Sequence, residues 1–347
     1  MRRHKWKWAA GCVLAAAFLV WLFRAELAAR AFDWRLFLSS LSNLRWQWLA
    51  LSLVPLFGTY YGRALRWAVF LRPLKPDPSM WNLLSATAVG FAAITLFGRP
   101  GEFIRPYLIA VKERVPVTSQ LAAWLLERIF DLLMALIVFG FALSRVQASG
   151  AEVGPKLAWV LAWGGWIVGW TAAGILAVIL SLRHFVEPIR RRVTRFLHFL
   201  PETQFHKGEK WITAFVQGVE STRSDAALLL VFVYSVIEWA LIAASYWCLA
   251  RSFSGTVNLT LVDVLIFMGF VSFGAAVQIP GIGGGIQVVS VLVLTELFGV
   301  RLEVASSFAV LIWILTFVAI VPVGLAIALK EGLDWHSLRQ IGREASE

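Results

Sequence analysis

Apolar runs of about 20 residues, long enough to cross the hydrocarbon core of a bilayer, recur along this chain and are separated by short segments rich in Arg and Lys. The run from Leu157 to Leu180 is one example. The pattern predicts full spans at about 8–23, 45–64, 119–144, 157–181, 226–250 and 304–329. Two further apolar stretches, Trp81 to Arg114 and Leu265 to Gly299, are interrupted by Gly and Pro, and their separate arms read as too short to cross alone. The expected architecture is an all-α polytopic membrane protein: about six full spans plus two Pro-Gly-broken re-entrant hairpins, eight hydrophobic segments in all. The expected organisation is a single integral membrane domain, 1–347. Its first half is 1–181, a basic amphipathic loop follows at 182–225, the second half is 226–330, and a short tail covers 331–347.

Composition agrees with the pattern: of 347 residues 59% are hydrophobic and only 15% charged, where a soluble domain carries about a quarter charged. No room is left for a sizeable water-soluble domain. The net charge of +11 raises nucleic acid as a partner, but its distribution argues otherwise. With both broken stretches returning to the side they entered, about two-thirds of the 32 Lys and Arg residues fall on one face, including Arg63, Arg66, Arg72 and Lys75. By the positive-inside rule that face is cytoplasmic, with both termini on it, in the cell (inner) membrane. The basic N-terminus before Ala9 has signal-peptide character, yet Arg24, Glu26 and Arg30 follow the apolar stretch, so a retained first helix is expected. Several of the 18 Trp residues, such as Trp46, Trp48 and Trp81, flank the runs as interfacial anchors.

Charges inside apolar runs are the candidate chemistry, because each costs about 2.5–3.5 kcal/mol at membrane depth if uncompensated. The segment GRPGEFIRP supplies Arg99, Glu102 and Arg105. LLERIFDLL supplies Glu127, Arg128 and Asp131, with Glu127 and Asp131 on one helical face. Glu238 lies mid-span, and Glu296 lies in the returning arm of the second hairpin. Local pairing of Glu102 with Arg105, or of Arg128 with Asp131, would account for them structurally. A cluster beside broken backbone instead implies a polar cavity, since irregular backbone at that depth must be buried or face water. The arginines suit a phosphate or carboxylate. The acids could balance them, receive a cationic headgroup or relay protons.

Both breaks carry Pro-Gly, Pro100-Gly101 and Pro280-Gly281, which suggests an inverted repeat with a transport site between its halves. Gly283 and Gly284 extend the second break, and without the Lys of a P-loop they read as a tight turn, not a nucleotide cradle. The five His residues all fall in segments expected to be cytoplasmic, Cys12 and Cys248 form no metal-type pair, and no cofactor or metal is expected.

In order, FGRPGEFIRPYLIA, LERIFDLL and IPGIGGG resemble the lysylphosphatidylglycerol synthase transmembrane region family, whose members are also described as flippase-like. The resemblance implies lipid handling, with membrane lipids as partners, and carries over Arg99, Gly101, Glu102, Arg105, Pro106, Glu127, Arg128, Asp131, Pro280 and Gly281 as family positions. The chain departs from the family pattern at Gln287, where many relatives have an acid after the glycine turn. It also shows no aminoacyltransferase domain, so no lysyl transfer is expected. The leading expectation is a flippase or transporter for an amphipathic, anionic-headgroup lipid. The alternatives are a non-transporting subunit that presents lipid to a separate lipid-modifying enzyme, and an intramembrane enzyme on a lipid phosphate.

Overall fold

A computed structural model describes residues 32–150, 159–178 apart from 161 and 176, residue 213, 224–253, 257–275, 278–279 and 283–332. The span expected at 8–23, nearly all of the 182–225 segment, Pro280, Gly281 and the tail beyond 332 lie outside the described residues.

Ten α-helices make up the labelled frame. They are α1 (Trp34–Ser42), α2 (Trp46–Leu71), α3 (Met80–Phe97), α4 (Ile104–Glu113), α5 (Val117–Ser149), α6 (Asp225–Ser252), α7 (Leu261–Gly274), α8 (Gly285–Glu296), α9 (Leu302–Trp313) and α10 (Val321–Lys330). Described residues between 159 and 178 are helical as well. Among the described residues four helices are long and apolar enough to cross a membrane: α3, α5, α6 and the broken helix Leu302–Lys330. The protein is therefore an α-helical integral membrane protein. α2 has the length, at 26 residues, but Gly58, Tyr60, Tyr61, Gly62, Arg63 and Arg66 make it less apolar.

The first broken stretch is a helical hairpin. α3 starts at Ser79, whose side chain accepts the Asn82 backbone N–H, and stops at Gly98, where φ is +72°. A 3-10 turn, Arg99–Phe103 with Pro100 at its start, reverses the chain into α4. Gly101 lies so near Ala93 that a Cβ would sit 2.4 Å from the Ala93 carbonyl oxygen. At the far end Lys112 Nζ donates to Ser85 Oγ at 2.6 Å and Asn82 Nδ2 to Glu113 Oε1 at 2.7 Å, so the arms run antiparallel. One expectation is corrected here. At 18 residues the first arm is not too short to cross, whereas the second has ten residues.

The second broken stretch also folds back. α7 and α8 pack against each other, and between them Gln278–Ile279 pairs antiparallel with Gly283–Gly284. These four strand residues depart from the all-α expectation. Repeated Gly gives no side chain to hold a helix there. Gln287 closes the turn locally, its Oε1 accepting the Gly284 N–H at 2.5 Å.

The last span, expected at about 304–329, is found at Leu302–Lys330, with an interruption inside it. A π turn over Ile314–Val318 separates α9 from α10, and Pro322 begins the second part. Proline removes a helical N–H and clashes one turn back. The Thr95 hydroxyl donates to the Phe317 carbonyl at 2.9 Å, satisfying one group in the irregular turn. α9 packs on α8 and α1, while α10 packs on α3, with Gly324 close against Ala88 and Ala92. α2 lies along α6, and α7 lies on α5.

The open ends of the first hairpin are tied by charge. Lys112 pairs with Glu331 at 2.5 Å and Lys75 with Glu113 at 2.7 Å. Burial pushes the Glu113 carboxyl up, but hydrogen bonds from Lys75, Asn82 and the Ser79 backbone outweigh it and hold the pKa below 4.5. A depressed carboxylate pKa stabilises the fold above the ordinary value, and the contribution fades as pH falls through the folded value. In detergent, the stability advantage of the wild type over Glu113→Gln is expected to be constant above pH 4.5 and to shrink below it, as read by thermal unfolding across pH.

Candidate functional site

Seven ionic side chains converge between four helices: Arg63 and Arg66 of α2, Arg105 of α4, Glu127, Arg128 and Asp131 of α5, and Glu238 of α6. Glu127 lies ten residues into α5 and Glu238 lies 13 residues into α6, well away from the helix ends. The cluster thus stands within the spanning segments.

Glu127 is the hub. Its Oε1 accepts from Arg66 Nη2 and from Arg105 Nη1, both at 2.9 Å. Its Oε2 accepts from Arg105 Nη1 at 2.9 Å and Arg128 Nη2 at 3.2 Å. One turn on, Asp131 faces Arg66 at 2.8 Å and Arg128 at 3.1 Å. The i,i+4 spacing places both acids on one face, as expected from sequence. Glu238, fully buried, pairs with Arg63 at 2.5 Å and with Arg66 at 3.4 Å. Ser235, one turn before it, accepts from Arg66 Nη1 at 2.9 Å.

Aromatic rings complete the surroundings. The Arg105 guanidinium stands over Trp67 at 4.2 Å, and that of Arg63 over Phe91 at 4.7 Å. A desolvated cation over a ring gains more than an exposed one. Arg105 also donates to the Arg63 carbonyl at 3.3 Å, joining the hairpin arm to α2 through the backbone.

Several sequence expectations need correction. Arg105 pairs with Glu127, not with Glu102, because the second arm turns it inward. Glu102 instead pairs with Arg99 at 3.1 Å on the 3-10 turn, where the Arg99 side chain is 65% exposed. Glu102 remains near enough to Arg128 to attract it electrostatically. Arg63 and Arg66, read as topology signals at a helix end, belong to the cluster. α2 continues through Trp67–Leu71, so these arginines lie inside the bundle. The uninterrupted apolar WAVFL after Arg66 was the available signal. Arg128–Asp131 forms as expected. Glu296 and Gln287 lie in the second hairpin and join no ion pair of this cluster. Among the described residues, no group of three or more His, Cys, Asp and Glu could hold a metal ion.

Fold and site together define a polytopic helical membrane protein whose largest buried polar feature, among the described residues, is an arginine–carboxylate cluster between a helical hairpin and three long helices. The sequence matches the lysylphosphatidylglycerol synthase TM region family over residues 8–324, and the chain belongs to that family. No curated protein and no solved structure matches it.

Proposed function

We propose that this protein is a transporter, not an enzyme, that moves an amphipathic lipid with an anionic headgroup between leaflets through the region of the ion cluster. One observation carries the reading. A hairpin arm brings Arg105 to Glu127 of a spanning helix, which supports an anion-binding site between two different elements. Buried, shared ion pairs are costly for stability alone. Arginine forks are suited to phosphate oxygens. Family membership supports a lipid-related membrane function. The paired broken stretches support an inverted-repeat design in which such a site is exposed alternately to each side. The orientation that follows has both termini in the cytoplasm of a cell whose inner membrane holds the protein.

The test is reconstitution into liposomes with headgroup-labelled lipids. Wild-type protein is expected to move label between leaflets, and Arg128→Lys and Arg105→Lys, which keep the charge at two cluster positions but lose the planar fork, to reduce movement severely while eluting like wild type. Unchanged movement in both variants removes the site assignment. No movement by wild type, together with co-purification of a lipid-modifying enzyme, replaces the transporter with a lipid-presenting subunit.

A further inference from the structure

The ion cluster holds more positive than negative groups, and we propose that this surplus selects a singly charged phosphodiester headgroup over zwitterionic, doubly anionic and cationic ones. The inference rests on the lipid-handling reading and adds the charge state of the ligand to it.

Four guanidiniums, those of Arg63, Arg66, Arg105 and Arg128, meet three carboxylates, those of Glu127, Asp131 and Glu238. One positive charge is left over. The adjoining Arg99–Glu102 pair is neutral and leaves the count unchanged. Arg66, Glu127 and Glu238 are almost wholly shielded from solvent, so bulk water does not disperse the excess.

Hydrogen bonding points the same way. The Nε–H groups of Arg66, Arg105 and Arg128 are buried and have no acceptor among the described residues. Each of these arginines already uses an Nη group on a carboxylate. Oxygens of Asp131 and Glu238 also lack hydrogen-bond geometry, but they stand 2.5–3.4 Å from arginine nitrogens in ion pairs. The imbalance is therefore one of charge, and three buried Nε–H donors stand open to a further acceptor.

A phosphodiester supplies the missing charge together with acceptors for those donors, because its two unesterified oxygens share one negative charge and fit a guanidinium fork. A zwitterionic headgroup brings an ammonium and restores the surplus. A phosphomonoester dianion overshoots, and an aminoacylated phosphodiester with net positive charge enlarges the excess. Arg128, with its side chain 39% exposed, is the cluster's most accessible member and its point of first contact.

The experiment measures equilibrium lipid binding to the full-length protein in detergent by native mass spectrometry. The probes share acyl chains: phosphatidylglycerol, phosphatidylethanolamine, phosphatidic acid and lysylphosphatidylglycerol. Work at about pH 8 keeps the phosphomonoester dianionic. Wild type is expected to prefer phosphatidylglycerol over phosphatidylethanolamine by about tenfold, the scale of one charge-assisted hydrogen bond. Arg128→Gln removes the surplus and should bring that ratio to about one. Asp131→Asn raises the surplus and should shift preference to phosphatidic acid. The two variants move selectivity in opposite directions, which loss of folding cannot mimic. A wild-type ratio near one, or ratios unmoved in both variants, overturns the proposal. Glycerophosphoglycerol, the same headgroup without acyl chains, is expected to compete weakly; competition equal to that of the lipid overturns the lipid as ligand source. Selective binding without liposome transport keeps this inference and removes the transporter, and transport without headgroup preference does the reverse.

Discussion

Glu127→Gln is expected to destabilise the protein by about 3–5 kcal/mol, the usual consequence of leaving a buried charge without its partner. The effect is at the upper end because this one carboxylate serves Arg66, Arg105 and Arg128 together. Neutralising it raises the positive excess where Arg66 is fully buried and Arg105 nearly so. Denaturant or thermal unfolding in detergent measures the loss directly. A second substitution, Arg105→Gln, removes one of the stranded cations, so the double variant should be more stable than the sum of the two single losses. A Glu127→Gln protein as stable as wild type would show that the three arginines find other acceptors, and the hub assignment would fall.

Gly101→Ala should be nearly as damaging, for a steric reason. Its Cβ would lie 2.4 Å from the Ala93 carbonyl oxygen and 2.6 Å from the Ile94 nitrogen, and both are backbone atoms that cannot rotate away. The turn must separate from α3, at a cost of about 1–3 kcal/mol for overpacking. Arg105 follows four residues later, so the displacement reaches its contacts with Glu127 and with the Trp67 ring. Lipid movement should fall more steeply than stability. Gly62→Ala provides the comparison, since an added Cβ there meets nothing within 4 Å. A helix-interior glycine replaced without conflict gains about 0.5–1 kcal/mol, so that variant should unfold later than wild type. Equal behaviour of the two would rule out close packing as the role of Gly101.

The contrast between Arg105 and Arg66 explains how far the sequence could be read. Arg105, Glu127, Arg128 and Asp131 stood out because charges amid apolar residues require a partner. Their convergence was legible from one helical repeat and one chain break. Arg66 escaped because a basic residue near a helix end already has a sufficient explanation in membrane topology. Only the length of α2 in three dimensions moves it from the rim to the interior. Glu238 was visible as a lone acid, but its partners come from α2, more than 170 residues earlier in the chain, and no local pattern encodes that pairing. Conversely, Arg99 and Glu102 looked central and form an i,i+3 pair on the turn, because the 3-10 geometry points them away from the arm that carries Arg105 inward. Spans were legible where apolarity was continuous, as in α5 and α6. The last span was legible too, but not its internal break, because a π turn and Pro322 divide a run whose hydropathy does not change.

That division has a mechanical meaning. α9 is fastened to α1 and to an arm of the second hairpin, and α10 to an arm of the first, so a single length of chain is shared between the two folded-back units. Residues 314–320 are the articulation between them. Were either unit to swing, the other would feel it as a torque through this joint, and the stiffness of seven residues would set how independently the two can travel.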